Sequence, residues 1–212
     1  MHISEGVLSP SVLMAGAALT AAGCWIGYRK LQYDKIVTAS VLSATFFVGS
    51  LIHVPLGPSS VHLLLNGIAG VVLGWVAFPC ILVALLLQAV LFQFGGLSVL
   101  GVNTFNVAAP AVLCFYLLRP LLNGSPGRSA LAGFLGGAGA VLGTALMTAF
   151  SLAFTDEGFL TTAKLVVVGH LPVMVIEGVV TMFAVGFLAR VRPELLGGAG
   201  CLGHAKAGGP TC

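Results

Sequence analysis

Apolar residues run along this chain in long blocks rather than in alternation, and short polar or Gly- and Pro-containing stretches separate the blocks. A helix that crosses a bilayer needs about 20 mostly apolar residues. Seven blocks qualify, near 10–28, 36–54, 59–75, 77–94, 104–121, 129–154 and 165–189, the third being the shortest. The pattern predicts an all-α polytopic membrane protein with about seven transmembrane helices in one bundle over residues 10–196. A short external segment, 1–9, precedes the bundle, and a Gly-rich tail, 197–212, follows it with the composition of a disordered segment. Ser9-Pro10 reads as a cap followed by proline at the first position of the first helix.

Composition removes most other classes. The chain is 58% hydrophobic and 7% charged, whereas about a quarter of the residues of a soluble domain carry charge. A soluble enzyme, a coiled coil and a disordered chain are excluded. Five cysteines without a CxxC give neither a disulfide framework nor a zinc site. LTAAGC at 19–24 faintly resembles a lipoprotein cleavage box, but the preceding MHISEGVL has no Lys or Arg, so the first block reads as an uncleaved span.

The net charge of +3 is too small to imply nucleic acid as a partner. The bases sort by membrane side instead. Arg29, Lys30 and Lys35 follow the first block, Arg119 and Arg128 flank the turn between the fifth and sixth, and Arg190, Arg192 and Lys206 follow the seventh. With seven spans and an external N-terminus, eight of nine bases are cytoplasmic and only Lys164 is not. The expected topology is therefore N-outside and C-cytoplasmic, in the cell (plasma) membrane. If 59–75 did not span, Arg119 and Arg128 would move outside and the bias would collapse. In the sixth block Gly133 and Gly137, Gly136 and Ala140, and Gly139 and Gly143 stand four apart, a ladder that serves close packing inside the bundle or a docking surface for a membrane partner.

Four of the five histidines fall on the outer half in this topology: His2, His53, His62 and His170. Imidazoles converging at one end of a bundle suggest an ion site open to the outside. His2 is distinctive because the α-amine of Met1, the deprotonated His2 amide and the His2 imidazole form adjoining chelate rings. Three nitrogens in one plane leave a fourth in-plane position, which suits Ni(II) or Cu(II), with Co(II) possible. His62 is expected in the first turn of a helix after the turn and cap of Gly57-Pro58-Ser59-Ser60, with Asn66 one turn on and able to orient its ring.

His53 and His170 are each followed closely by proline and either line the ion path or bond a broken helix end. Glu177, the single acid within the blocks, either lies on the path or pairs inside the bundle. Gln93 to Asn106, which carries Asn103 and Asn106, reads as an ordered loop dipping into the bundle as a lid, or as a plain connector. No GxSxG, HExxH or Walker A motif is present, so neither catalysis nor a catalytic cofactor is expected.

Met1-His2-Ile3 with Glu5-Gly6 and Leu8-Ser9-Pro10, GPSSVHLLLNG around His62, FQFGGLSVLGVNTFN, and HLPVMVIEGVVT leading into RVRPELL resemble the CbiM/NikM family. These are substrate-binding membrane subunits of cobalt- and nickel-type energy-coupling-factor (ECF) transporters. The resemblance runs through essentially the whole chain to Leu196. It implies an importer subunit that captures a divalent metal outside through Met1, His2 and His62. It also implies a transmembrane coupling subunit, a pair of cytosolic ATPases and a small accessory membrane protein as partners. Ser-Val-His-Leu-Leu around His62 looks more like the nickel-type members, and planar nitrogen coordination favours Ni(II), transported as substrate, over Co(II). The alternatives are a cobalt-specific importer subunit serving cobalamin synthesis and a metal-gated channel or sensor acting without ATPases.

Overall fold

A computed structural model describes residues 3–51, 53–56, 59–122 and 124–196. Met1, His2, the Gly57-Pro58 turn and the tail 197–212 with Cys201, His204 and Cys212 lie outside the described residues.

The helices are α1 (Pro10–Lys30), α2 (Ile36–Gly49), α3 (Asn66–Leu73), α4 (Ala77–Phe92), α5 (Leu100–Leu122), α6 (Pro126–Ala153) and α7 (Leu160–Val191). Between α2 and α3 lies an antiparallel hairpin of β1 (His53–Leu56) and β2 (Ser59–His62), in which His53 pairs with His62 and Leu56 with Ser59. Among the described residues, five stretches are long and apolar enough to cross a membrane: Pro10–Lys30, Asn66–Phe92, Leu100–Leu122, Pro126–Ala153 and Leu160–Val191. Their outward faces carry large apolar side chains such as Met14, Leu117, Phe150, Phe183 and Phe187, as lipid-facing helices do.

The expected helix over 59–75 is not there. Its first part is strand β2, and α3 does not begin until Asn66. Pro55 lacks the N–H that a helix would need there, and β1 and β2 satisfy their backbones by pairing with each other while both pack against α7. The second block is also shorter than expected, since α2 ends at Gly49.

Contacts between helices fix their directions. α3 runs alongside α5 in the same sense, with Asn66 bonded to the Val107 carbonyl and Gly74 under the Phe115 ring. At Gly74, φ is +55°, a conformation open to glycine, and the chain turns back into α4. Asn66–Phe92 is thus a folded pair rather than one straight rod. Trp75 stacks on Phe78, whose ring centroid is 6.3 Å from that of Phe105, further back along α5. α2 and α4 run together, tied by Ser43 Oγ to the Cys80 carbonyl at 2.9 Å and by Gln88 Nε2 to the Phe47 carbonyl at 3.2 Å. α6 opposes both α5 and α7, since Gly143 meets Pro110, Gly139 meets Cys114 and Gly186 meets Ala130.

α1, α3, α5 and α7 therefore run one way, and α2, α4 and α6 the other. Although 59–75 is not one continuous helix, α1 and α5 still end together, with Lys30 Nζ donating to Tyr116 Oη at 3.3 Å. Arg29, Lys30 and Arg119 share that end, and Arg29 and Lys30 lie over the Trp25 and Trp75 rings at 5.7 and 5.8 Å, like cationic and aromatic anchors at a membrane surface.

The glycine ladder of α6 packs inward. A Cβ on Gly133 would meet Thr181 and Val185, and one on Gly137 would lie 2.6 Å from the Glu177 carbonyl oxygen. On α3, a Cβ at Gly67 would lie 2.5 Å from the Gly137 Cα. Three backbones meet at this point, and none can move aside without moving a helix. Gly67→Val is expected to destabilise the fold by about 3 kcal/mol, the upper part of the overpacking range. Thermal unfolding of the purified protein in detergent checks this, against Gly127→Ala, where nothing lies within 4 Å.

Candidate metal site

The N-terminal segment enters the bundle. Ile3 is fully buried, and one amide side chain clasps its backbone on both sides: Ile3 N donates to Asn103 Oδ1 at 3.0 Å, and Asn103 Nδ2 donates to the Ile3 carbonyl at 3.1 Å. An amide side chain has a donor and an acceptor side by side, so it pairs with a peptide unit as a neighbouring strand would. Each buried bond left unmade would cost about 1–3 kcal/mol.

Further out, Glu5 N donates to the Gly95 carbonyl at 3.2 Å, and Glu5 Oε1 accepts from Ser98 N at 2.9 Å and Ser98 Oγ at 3.1 Å. Gly96, at φ +137°, has the Glu5 carboxylate where a Cβ would stand. Ser9 N donates to Thr155 Oγ1 at 3.4 Å. The segment is pinned at three points, on α5, on the loop after α4 and on the end of α6.

The Ser98 backbone N–H, followed by its hydroxyl, holds the Glu5 carboxyl below its ordinary value of 4.5. A lowered folded-state pKa gives a contribution that is fully present above the unfolded value and lost as pH falls through the folded one. Hydrogen exchange at residues 3–9 is therefore expected to show unchanged protection from neutral pH down to about 4.5 and loss below it. Glu5→Gln should remove that pH dependence.

His62 ends β2 and is 3% exposed. It is not in the first turn of a helix, so Asn66 is not one helical turn further along its face. Asn66 instead opens α3, and its Nδ2 donates to the Val107 carbonyl and to Thr144 Oγ1, both at 3.0 Å. The His62 ring is held by its own neighbour, with Nδ1 3.0 Å from the Leu63 carbonyl oxygen.

Glu177, fully buried on α7, holds the turn that follows His62. Its Oε1 accepts from Leu64 N and from Leu65 N, the latter at 2.7 Å. These are amides at the entrance to α3, where a helix leaves N–H groups without internal partners. Leu65, the residue before the helix, is left-handed at φ +51° and offers no side-chain cap. A carboxyl oxygen from another helix fills that role by accepting both N–H groups.

The other candidates separate. Asn103 and Asn106 are on α5, not in a loop: the connector is confined to Gln93–Val99, and α5 begins at Leu100. Asn106 Nδ2 donates to Ser151 Oγ on α6 at 3.1 Å. His170 is buried in α7, which continues unbroken through Pro172, and its Nδ1 lies 2.6 Å from the Val166 carbonyl oxygen one turn back. The broken helix end expected at His170 is absent. His53 stands opposite His62 in the hairpin register.

Among the described residues no three His, Cys, Asp or Glu side chains gather as a metal-holding group. The ligand set expected from the sequence draws two of its three residues, Met1 and His2, from outside that part. Sequence reasoning missed the Ile3–Asn103 and Glu5–Ser98 clasps and the Glu177 bond to the His62 turn. The one available signal was Glu5, the only acid in the N-terminal segment.

The family described as the cobalt uptake substrate-specific transmembrane region matches residues 2–195. A protein named putative metal transport protein from Haemophilus influenzae is 40% identical, over 92% of this chain and 97% of its own length. The cobalt transport protein CbiM of Kyrpidia tusciae is 32% identical, over 98% of this chain and 92% of its own. The fused nickel transport protein NikMN of Rhodobacter capsulatus is 32% identical over 92% of this chain, which spans 64% of that longer protein. A crystal structure of a transition metal transporter superposes with a TM-score of 0.70 at 26% identity, covering 90% of this chain and 93% of the other.

Proposed function

The chain belongs to the CbiM family of cobalt and nickel transport membrane components, and from that premise we propose that it captures Ni(II), in preference to Co(II), for ATP-driven import. The ligands are the Met1 amine, the amide and imidazole nitrogens of His2, and His62. The observation that carries the reading is the burial of Ile3 in the clasp of Asn103. It holds Ile3, the residue next to His2 in sequence, in the bundle at the end where the His62 hairpin also lies. Four nitrogen donors in a plane suit Ni(II) better than Co(II).

The end that holds Ile3 faces outward in this reading, and the end with Arg29, Lys30 and Arg119 faces the cytoplasm, following the bias of bases toward the inner side. ATP hydrolysis takes place in a pair of cytosolic partners, and a transmembrane coupling subunit passes the motion to this chain. A small accessory membrane protein completes the complex.

Cells expressing the chain alone and cells expressing it with its coupling and ATPase subunits, each given radioactive nickel or cobalt, test the reading. Uptake is expected only in the second case, and an inactive ATPase should abolish it. Uptake that persists with the chain alone would support a channel-like permease instead.

A further inference from the structure

We infer that Glu177 is a positioning residue for the His62 imidazole and acts through the backbone turn between them; the inference rests on His62 being a metal ligand, as proposed above. The connection is continuous. Glu177 Oε1 receives Leu64 N and Leu65 N. Those two bonds hold the turn in which Leu65 is left-handed, and so set the direction of the Leu63 carbonyl at its start.

That carbonyl lies 3.0 Å from His62 Nδ1. A carbonyl oxygen only accepts, so Nδ1 carries the proton of the neutral ring and Nε2 carries the lone pair. The carboxylate on α7 thereby selects which ring nitrogen is offered to a metal and where it points, as groups behind metal-binding histidines commonly do. The base on which it stands is rigid: α7 and α6 touch where Gly137 lies on the Glu177 carbonyl, and α3 closes the same point through Gly67.

A group that only stabilised the fold would affect metal binding whether or not His62 were present. A positioning group would not, and a double-mutant cycle separates the two. The full chain is purified in detergent and titrated with Ni(II), recording affinity, the absorption band of bound nickel and thermal unfolding. Glu177→Leu is expected to weaken binding about 10- to 100-fold and to shift the band. Glu177→Gln, whose amide oxygen can accept the same two N–H groups, should keep most of the affinity and the band position. In a His62→Ala background, Glu177→Leu should change nickel affinity no further.

If the leucine variant does not fold, Glu177→Asp, which withdraws the carboxylate by one methylene, takes its place in the same cycle with the same expectation. Wild-type affinity in the folded Glu177 variants, or a loss that adds in full to that of His62→Ala, would overturn the inference. Failure of the metal reading itself is distinct, because it would appear as a purified wild-type chain that binds neither nickel nor cobalt in the same titration.

Discussion

His62→Ala is expected to lower Ni(II) affinity on the order of 100-fold, at the upper end of what loss of groups around a metal costs, and to change the absorption spectrum while leaving the fold intact. The side chain is buried at the end of β2, its Nδ1 is against the Leu63 carbonyl, and its remaining nitrogen has the lone pair. In the proposed site that nitrogen completes the plane begun by Met1 and His2, and its removal leaves the fourth position to water. The hairpin does not depend on the ring, because β1 and β2 pair through their backbones. Equilibrium titration with Ni(II) checks both parts. His204→Ala, in the tail, should leave affinity and spectrum unchanged.

Asn103→Leu is expected to be nearly as damaging although Asn103 is not proposed to touch the metal. Leucine is close in size and suits the buried position, but it can pair with neither Ile3 N nor the Ile3 carbonyl. Two buried backbone groups would lose their partners, at about 1–3 kcal/mol each. The segment relieves that cost by leaving the bundle, which takes Met1 and His2 with it. Nickel affinity should fall about 10- to 100-fold, hydrogen exchange at residues 3–9 should rise, and thermal unfolding of the helical bundle should change little. Wild-type affinity with an exposed segment would separate the clasp from binding.

The helices were largely legible because lipid imposes long apolar blocks, and each of the five stretches long enough to cross overlaps one or two of the blocks read from the sequence. The hairpin was not. Residues 59–75 are apolar enough for a helix, and a short apolar run does not distinguish strand from helix by period alone. Pro55 and Pro58 are the usable signals, but Pro55 reads equally well as a broken helix end after His53, and Gly57-Pro58 as a turn before a helix.

The glycines and amides of the stretch from Gln93 to Asn106 suggest a loop, yet Asn103, Thr104 and Asn106 all lie in α5. They are helical because each finds a partner: Ile3 for Asn103, the Leu100 carbonyl for Thr104, and Ser151 for Asn106. The Ile3 and Ser151 partners lie 100 and 45 positions away, with no sequence spacing to betray them. The same holds for Glu177, whose hydrogen-bonded amide at Leu65 is 112 positions away in the chain. Composition marked Glu177 as a costly buried acid; only the fold reveals that the turn after His62 is what it holds.

The chelate chemistry of Met1 and His2 rests on a free amine, and the most direct test is to change nothing else. The chain is purified with its own first residue and with one residue added before Met1, and both forms are titrated with Ni(II) while absorption is recorded. The account predicts that the extended form loses about 100-fold or more in affinity, beyond the range for supporting groups, and does not give the spectrum of the native form. Equal affinity with an unchanged spectrum would contradict it.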